Sequence, residues 1–491
     1  MNNQSSRNFI KHFMVIGSGT AINMLIGVIS TPIITRLIDP VEYGQLSIFT
    51  MYAGIAEMVL CLGLDQALVR YYYEKDNLEY RRALLFKCVK LPVIFTAIVS
   101  FLFLLILLTG ILHFEFSTYY SVWLCVFTFV QIINRFSFLV IRLEYNSKLY
   151  SSLRILNKAS FLIIVVTASY FIHDNYFNML VIAAVVSLAI CVAIGIIKQP
   201  DMWRFKRKDA SYSTVPSKEM LMYAFPFIIS MGITLIFQAM DKISLNYFCS
   251  YSEVGIYSSA MTIIAVFAII QTTFNSLWAP MQMEHFANNP DDRSFFQKGN
   301  KMITVVMFSF GLSLILVKDL FALFLGSKYR EAAYILPFLV FNPIMYTISE
   351  TTVGGIIFMK KSKLQIVIAV GACITNIVGN TLLVPKIGCQ GAAISTGISY
   401  IVFFTLRTFI SNRYYYIDFS LKRFYFLTCV TSAYALYNTF VHFNIWCVIG
   451  YLFCMSVLVI LYKETVIFGI NYLKKFMKKD RFFRKVDKGT T

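Results

Sequence analysis

Val93-Ile-Phe-Thr-Ala-Ile-Val-Ser-Phe-Leu-Phe-Leu-Leu-Ile-Leu-Leu-Thr-Gly-Ile-Leu112 runs for 20 residues without one charged side chain. A helix needs about 20 apolar residues to cross the ~30 Å hydrocarbon core of a bilayer. This stretch therefore reads as a membrane span, and Met179–Ile197 and Ile445–Tyr462 repeat the pattern. The composition agrees: 58% of the 491 residues are hydrophobic, only 14% are charged, and the mean hydropathy is +0.67. Soluble chains carry about 25% charged residues, so several water-exposed domains, intrinsic disorder and a disulfide scaffold are all excluded. Splitting the apolar windows at turn signals such as Asp39-Pro40 predicts an all-α polytopic membrane protein of about fourteen spans. They fall near residues 12–36, 44–66, 90–110, 117–141, 154–173, 177–197, 221–246, 254–279, 300–318, 332–358, 364–382, 387–410, 421–439 and 444–463. The first apolar stretch is too long for a signal peptide and has no small-residue cleavage site, so it is expected to stay as the first span.

The chain is basic, with 44 Lys+Arg against 25 Asp+Glu. With the N-terminus inside, 37 of the 44 fall in inner segments, six in outer loops, and one, Arg135, within a span. That bias follows the positive-inside rule and explains the net charge of +19 without nucleic acid. Both termini are placed in the cytoplasm, and the clusters Arg204–Lys208 and Lys474–Lys488 are expected against anionic headgroups of the inner face. Every connection is short, the longest outer one being about residues 319–331. No loop can house a catalytic domain, so the chain is read as a non-enzyme whose function lies between the helices.

An internal repeat supports this. Arg36-Leu-Ile-Asp-Pro-Val-Glu-Tyr-Gly44 joins the first two spans and Phe248-Cys-Ser-Tyr-Ser-Glu-Val-Gly255 the seventh and eighth. Glu42 maps to Glu253 and Gly44 to Gly255 at an offset of 211, and Arg7 falls on Lys218 at the same offset. Pro385-Lys-Ile-Gly-Cys-Gln-Gly391 forms a third hairpin of similar type. The unit is six spans, an even number, so both copies point the same way, as in transporters with a central cavity at the repeat interface. The expected organisation is an N-lobe (1–197), a basic linker (198–218), a C-lobe (219–411), a helix pair (412–470) and a basic tail (471–491).

These hairpins, with Gly63-Leu-Asp-Gln-Ala-Leu-Val-Arg70, Asp241-Lys-Ile-Ser-Leu-Asn and Glu253-Val-Gly-Ile-Tyr-Ser, resemble those of the polysaccharide transporter (oligosaccharide flippase) family. That family lies within the multidrug/oligosaccharidyl-lipid/polysaccharide (MOP) exporter superfamily, which also holds the MATE transporters. The likeness is spread over residues 7–400. It implies two six-helix lobes in a V plus a C-terminal helix pair. It also implies translocation of undecaprenyl-pyrophosphate-linked oligosaccharide units across the bacterial cytoplasmic membrane. Capsule, O-antigen, teichoic-type polymer and other exopolysaccharides all stay open, as does a polysaccharide polymerase as partner.

Ionisable groups inside spans cost about 2.5–3.5 kcal/mol each at mid-helix and are the sharpest site signals. Glu57 lies 13 residues from both Gly44 and Arg70, about 20 Å from each end at 1.5 Å per residue. Glu350 lies ten residues from Lys360, about 15 Å deep, and Arg135 seven residues from Arg142, about 10 Å deep. A guanidinium offers an always-charged, bidentate donor to a pyrophosphate. Arg135 is the first candidate for that role, with Arg70 and Lys158 at the inner mouth. On this reading Arg135→Ala abolishes export and leaves membrane abundance unchanged. The alternative is that Arg135 pairs with Glu57 or with Glu350, whose tenth span the repeat makes equivalent to the fourth span of Arg135, and locks the lobes. Glu57 and Glu350 are candidates for ion coupling. Asp241 joins them, although it and Asp65 lie near helix ends where caps would explain them. Gln131, Asn134, Gln271 and Asn275 could hydrogen-bond sugar hydroxyls, or simply neighbouring helices.

Other features carry less. Pro32, Pro226 and Pro343 interrupt spans and are candidate hinges. The ten cysteines contain no C-x-x-C, and the five histidines (His12, His113, His173, His285, His442) are dispersed, so neither disulfide nor metal is expected. Gly17-Ser-Gly19 reads as close packing, and no cofactor or Walker motif is present. A drug/cation antiporter remains the competing class. It requires an acidic cavity, against which an intramembrane arginine and a basic inner mouth speak.

Overall fold

The computed structural model describes residues 22, 25–172, 174–205 and 215–471. Outside the described residues lie the start of the first span with Arg7, His12 and Gly17-Ser-Gly19, as well as His173, the centre of the basic linker and most of the basic tail. No strand occurs among the described residues. The helices are α1 (Leu25–Leu37), α2 (Pro40–Leu60), α3 (Leu64–Tyr71), α4 (Leu78–Leu108), α5 (Thr118–Leu143), α6 (Ser147–Ser169), α7 (Tyr176–Ile197), α8 (Pro200–Trp203), α9 (Ser217–Phe248) and α10 (Tyr251–Ile264). They continue as α11 (Phe267–Asn288), α12 (Ser294–Leu316), α13 (Lys318–Phe324), α14 (Ala332–Leu339), α15 (Phe341–Thr352), α16 (Gly354–Phe358), α17 (Leu364–Tyr414), α18 (Leu421–Phe440) and α19 (Ile445–Leu461). Eight helices are long and apolar enough to span a membrane, α14–α15 counted as one, and eleven if each of three bent pairs is one span. The protein is an integral membrane protein. This count is coarser than the fourteen apolar windows of the sequence, partly because helical hydrogen bonding continues through α17, whose 51 residues contain a break at Ile387 and Gly388.

Two compact units divide the chain. The first comprises residues 1–269, 323–330 and 380–392; the second comprises 270–322, 331–379 and 393–491. In the first, α2 and α10 cross so closely that only glycine fits. A Cβ on Gly44 would fall on the Tyr251 carbonyl, and one on Gly255 on the Pro40 carbonyl. Ser47 and Ser258 join hydroxyls at 2.7 Å beside this crossing. Each pair (40 with 251, 44 with 255, 47 with 258) is separated by the 211-residue offset of the sequence repeat. The contact is therefore self-complementary, as expected when two copies of one motif meet about a twofold axis.

Three further segments close around the crossing. Lys328 pairs with Asp39 at 2.6 Å, the Gly326 N–H donates to Thr35 Oγ1 at 3.1 Å, and Tyr329 donates to the Ile38 carbonyl. Gly388, with φ +53°, makes the turn inside α17, and the next N–H, of Cys389, donates to Glu253 Oε2 at 2.8 Å. Glu115 accepts from Tyr52 at 3.0 Å and from Asn246 at 2.7 Å. The hairpins that charge bias puts on one side of the membrane thus meet.

In the second unit, polar side chains tie helices whose apolar surfaces gain little from packing in lipid. Asn300 of α12 donates to Thr351 of α15 at 2.8 Å, Thr352 meets Thr408 at 2.8 Å, and the Gly355 N–H donates to Ser411 Oγ at 2.9 Å. An aromatic cluster of Trp278, Phe296, Phe358 and Tyr415 packs where α11, α12, α16 and the end of α17 come together. The ten cysteines are all free.

Because the crossing leaves no room for a methyl group, Gly255→Ala is expected to destabilise by about 1–3 kcal/mol, the usual range for overpacking. Thermal unfolding of the detergent-purified protein reads this directly, and an unchanged midpoint would contradict it. Paired Ser47→Cys and Ser258→Cys substitutions should cross-link under mild oxidation, seen as a mobility shift reversed by reductant.

Candidate functional site

The site begins with a break in a helix. α2 ends at Leu60, Leu62 and Gly63 take φ of +54° and +65°, and α3 departs at 53°. Glycine serves at 63 for two reasons: its backbone is left-handed, and a Cβ there would lie 2.9 Å from the Ala224 carbonyl of α9. On an unbroken helix, Glu57 and Asp65 would be about 12 Å apart along the axis, beyond the reach of one guanidinium. The bend brings both to Arg135 of α5. Nε and Nη2 donate to Asp65 Oδ2 at 3.0 and 2.8 Å, and Nη1 donates to Glu57 Oε1 at 3.2 Å. Gln66 adds a donor to the same Asp65 oxygen at 2.8 Å. Asp65 also sits in the first turn of α3, where the helix dipole favours an anion.

This clamp forms one wall of a cavity of about 570 Å³, and Arg135 keeps 27% of its side chain exposed to it. Arg142, Tyr150, Arg154 and Lys158 line it from α5 and α6. Arg154 and Lys158 are one turn apart on α6, so they present their charges on one face. A second cavity of about 640 Å³ shares Asn157, Lys158 and Leu188 with the first and reaches the α2–α10 crossing. Its polar lining is hydroxyls, the amides of Gln131 and Asn157, and the ammonium groups of Lys158 and Lys242. Five cationic and two acidic side chains line the two cavities together. Both carboxylates are bound to Arg135. Among the described residues, Arg142, Arg154, Lys158 and Lys242 form no ion pair.

Gln131 lines the second cavity and Asn134 the first, each with a buried carbonyl oxygen lacking a hydrogen-bond partner. Arg70 lines neither and pairs with Glu74 at 3.5 Å, one turn further along the chain. Gln271 and Asn275 belong to the second unit and also line neither cavity. Glu350, in the second unit, accepts from Arg407 at 2.8 Å, whose guanidinium also reaches Ser349 and lies over the Phe403 and Tyr346 rings. Asp241 and Asp65 are not caps. Asp241 is buried and accepts from Tyr257 at 2.5 Å and Asn380 at 2.9 Å. Sequence reasoning missed Arg142 and Arg154 as lining residues, and Arg407 and Lys242 as intramembrane charges. It counted the last two with the loops, although Lys242 lies six residues before the end of α9.

Removing Arg135 alone strands two carboxylates, which corrects the expectation of unchanged abundance. Losing one partner of a buried ion pair costs about 3 kcal/mol or more, so Arg135→Ala should lower membrane abundance and thermal stability. Adding Glu57→Gln and Asp65→Asn should restore both, as measured by fluorescence-detected size exclusion. Normal abundance of the single variant would show that the clamp contributes little.

Known proteins share both the sequence pattern and the fold. The family model described as polysaccharide biosynthesis protein matches residues 9–285, more than half of the chain. No curated protein matches significantly by sequence. The lipid II flippase MurJ, in an inward closed conformation, is 14% identical with a TM-score of 0.69 over 94% of this chain and 99% of that one. A MATE-family multidrug transporter of the MOP superfamily, facing outward, is 12% identical with a TM-score of 0.57 over 82% and 95%. A MOP superfamily transporter from Pyrococcus furiosus is 13% identical with a TM-score of 0.55 over 82% and 93%. It is described as having a binding pocket of reverse polarity that suggests a different function. At such identities the likeness is one of fold. The chain belongs to the polysaccharide biosynthesis protein family and shares the fold of the MOP superfamily.

Proposed function

We propose that the protein is a flippase that moves undecaprenyl-pyrophosphate-linked oligosaccharide units across the bacterial cytoplasmic membrane for surface polysaccharide assembly. The observation that carries this reading is the charge of the cavities: five cations and two carboxylates, with both carboxylates held by one of the cations. A pyrophosphate is a compact, multiply charged anion that must leave the interface while its lipid tail stays in hydrocarbon. Guanidinium and ammonium groups in a low-dielectric cavity attract such a group far more strongly than they would in water. Arg142, Arg154 and Lys158 are the principal contacts in this reading, and Arg135 is held in place by its carboxylates. Gln131 and Asn134 face the glycan.

The wider scheme has fourteen spans in two six-helix lobes related by the repeat, a C-terminal helix pair, cytoplasmic termini and alternating access. The α2–α10 crossing would then be the closed outer end. Glu57, Glu350 and Asp241 are the coupling candidates, and a polymerase is a candidate partner. The MATE likeness raises the antiporter alternative. A cationic drug needs an unspent carboxylate, and none lines these cavities.

Reconstituted vesicles carrying an undecaprenyl-pyrophosphate-linked oligosaccharide supply the test, read by access of an added glycosidase to the outer leaflet. Arg154→Gln with Lys158→Gln should slow flipping by about tenfold or more, since hydrogen bonds to charged groups contribute about 1.5–3 kcal/mol each. Proton- or sodium-driven efflux of a cationic dye, with no flipping by the unaltered protein, would reverse the assignment.

A further inference from the structure

The flippase reading places one anion, the pyrophosphate, yet the cationic groups fall into two chemically different compartments. Among the described residues, three guanidinium groups, of Arg135, Arg142 and Arg154, line the first cavity and none lines the second. The second has Lys242 to itself and shares Lys158 with the first. Among the described residues no carboxylate lines it. The Asp241 carboxylate, next in sequence to Lys242, does not line it: it attracts the Lys242 ammonium from outside the cavity and accepts hydrogen bonds from Tyr257 and Asn380. α1, which contributes Gly27, Ser30, Thr31 and Ile34 to the wall, can bring none, because Asp39 is the first acidic residue of the chain.

An ammonium group six residues inside the end of α9, about 9 Å deep at 1.5 Å per residue, is expensive to keep, and the one carboxylate that attracts it, Asp241, is shared with Tyr257 and Asn380. The hydroxyls that line the same cavity, among them Thr31, Thr50, Ser187 and Thr262, suit sugar hydroxyls. The two compartments also follow one another along the helices. Arg142 and Arg154 sit at the junction of α5 and α6, whereas the second cavity reaches the crossing at Ser47 and Ser258. A substrate whose pyrophosphate is tethered to lipid beside Arg142 and Arg154 extends its glycan toward Lys242.

We propose that the second cavity selects an acidic glycan, with Lys242 receiving the carboxylate of a uronate-type sugar. This rests on the flippase reading and narrows it to a substrate class. A second phosphate group would call for the planar fork of arginine. An ammonium group in a cavity lined by hydroxyls suits a single carboxylate carried on a polyhydroxylated ring.

The full-length protein in lipid nanodiscs is titrated with trigalacturonate, with a neutral galactose trisaccharide, and separately with inorganic pyrophosphate. Trigalacturonate should bind about tenfold more tightly than the neutral trisaccharide, the scale of one charged hydrogen bond. Lys242→Gln should abolish that preference and leave pyrophosphate binding unchanged, and Lys242→Arg should retain it. In Lys242→Gln the Asp241 carboxylate keeps its hydrogen bonds from Tyr257 and Asn380, so the fold should persist. Equal binding of both trisaccharides, or binding of neither, overturns the proposal. So does a Lys242→Gln variant that loses pyrophosphate as much as trigalacturonate, which would place Lys242 in the pyrophosphate site. Failure of the unaltered protein to bind pyrophosphate, with the acidic preference intact, would instead count against the flippase reading.

Discussion

An ionised side chain inside a membrane protein must be met by an opposite charge, a shell of hydrogen bonds, or water, and this requirement organises the molecule. Three answers are visible. Arg135 is met by Glu57 and Asp65, and Arg407 by Glu350, Ser349 and two aromatic rings. Asp241 is met by a tyrosine hydroxyl and an asparagine amide. What remains after these assignments is informative. Arg142, Arg154, Lys158 and Lys242 line the cavities and, among the described residues, form no ion pair, both lining carboxylates being held by Arg135. A cavity that holds surplus charge of one sign is a device for attracting the other.

That cavity exists because two other places in the chain refuse a side chain. Gly44 and Gly255 let α2 and α10 touch backbone to backbone, so the repeat-related hairpins close one end of the space. Gly63 lets α2 break, which opens the space below and turns Asp65 toward Arg135. The closure is assembled from hydroxyl pairs, exposed ion pairs such as Lys328–Asp39, and backbone contacts. Exposed ion pairs contribute about 1 kcal/mol or less each. In an alternating-access scheme such a seal can part without a large penalty, whereas a seal built on buried arginine clamps could not.

Much of this was legible in the sequence because it depends on composition and spacing alone. Charge-free windows reveal spans, the 211-residue offset reveals the repeat, and counting from Arg142 reveals that Arg135 is deep. What was not legible depends on where a helix stops being straight. Residue spacing along α2 separates Glu57 from Asp65, and only the left-handed pair at Leu62 and Gly63 brings them together. Asp65 therefore read as a cap. Arg407 was hidden for a related reason: it lies six residues from Arg413 and so was counted with the inner loop, and its real partner, Glu350, is 57 residues away. Gln271 and Asn275 were chosen as polar groups in an apolar window, a pattern that cannot say which side of the helix meets a cavity.

The fold by itself does not decide the function, because lipid flippases and multidrug transporters both share it with this chain. The same helices can wrap a cavity of either sign, and the sign determines which molecules lower their energy by entering. Here the acids are consumed locally. Bound to Arg135, Glu57 and Asp65 are not open to a cation, and the guanidinium and ammonium groups of α5, α6 and α9 set the field. A single helix break thus decides whether one guanidinium holds both carboxylates, while four cations against two carboxylates among the described lining residues keep the surplus positive. Discrimination between an anionic and a cationic solute is in this sense a consequence of backbone geometry, expressed through which charges are allowed to find each other.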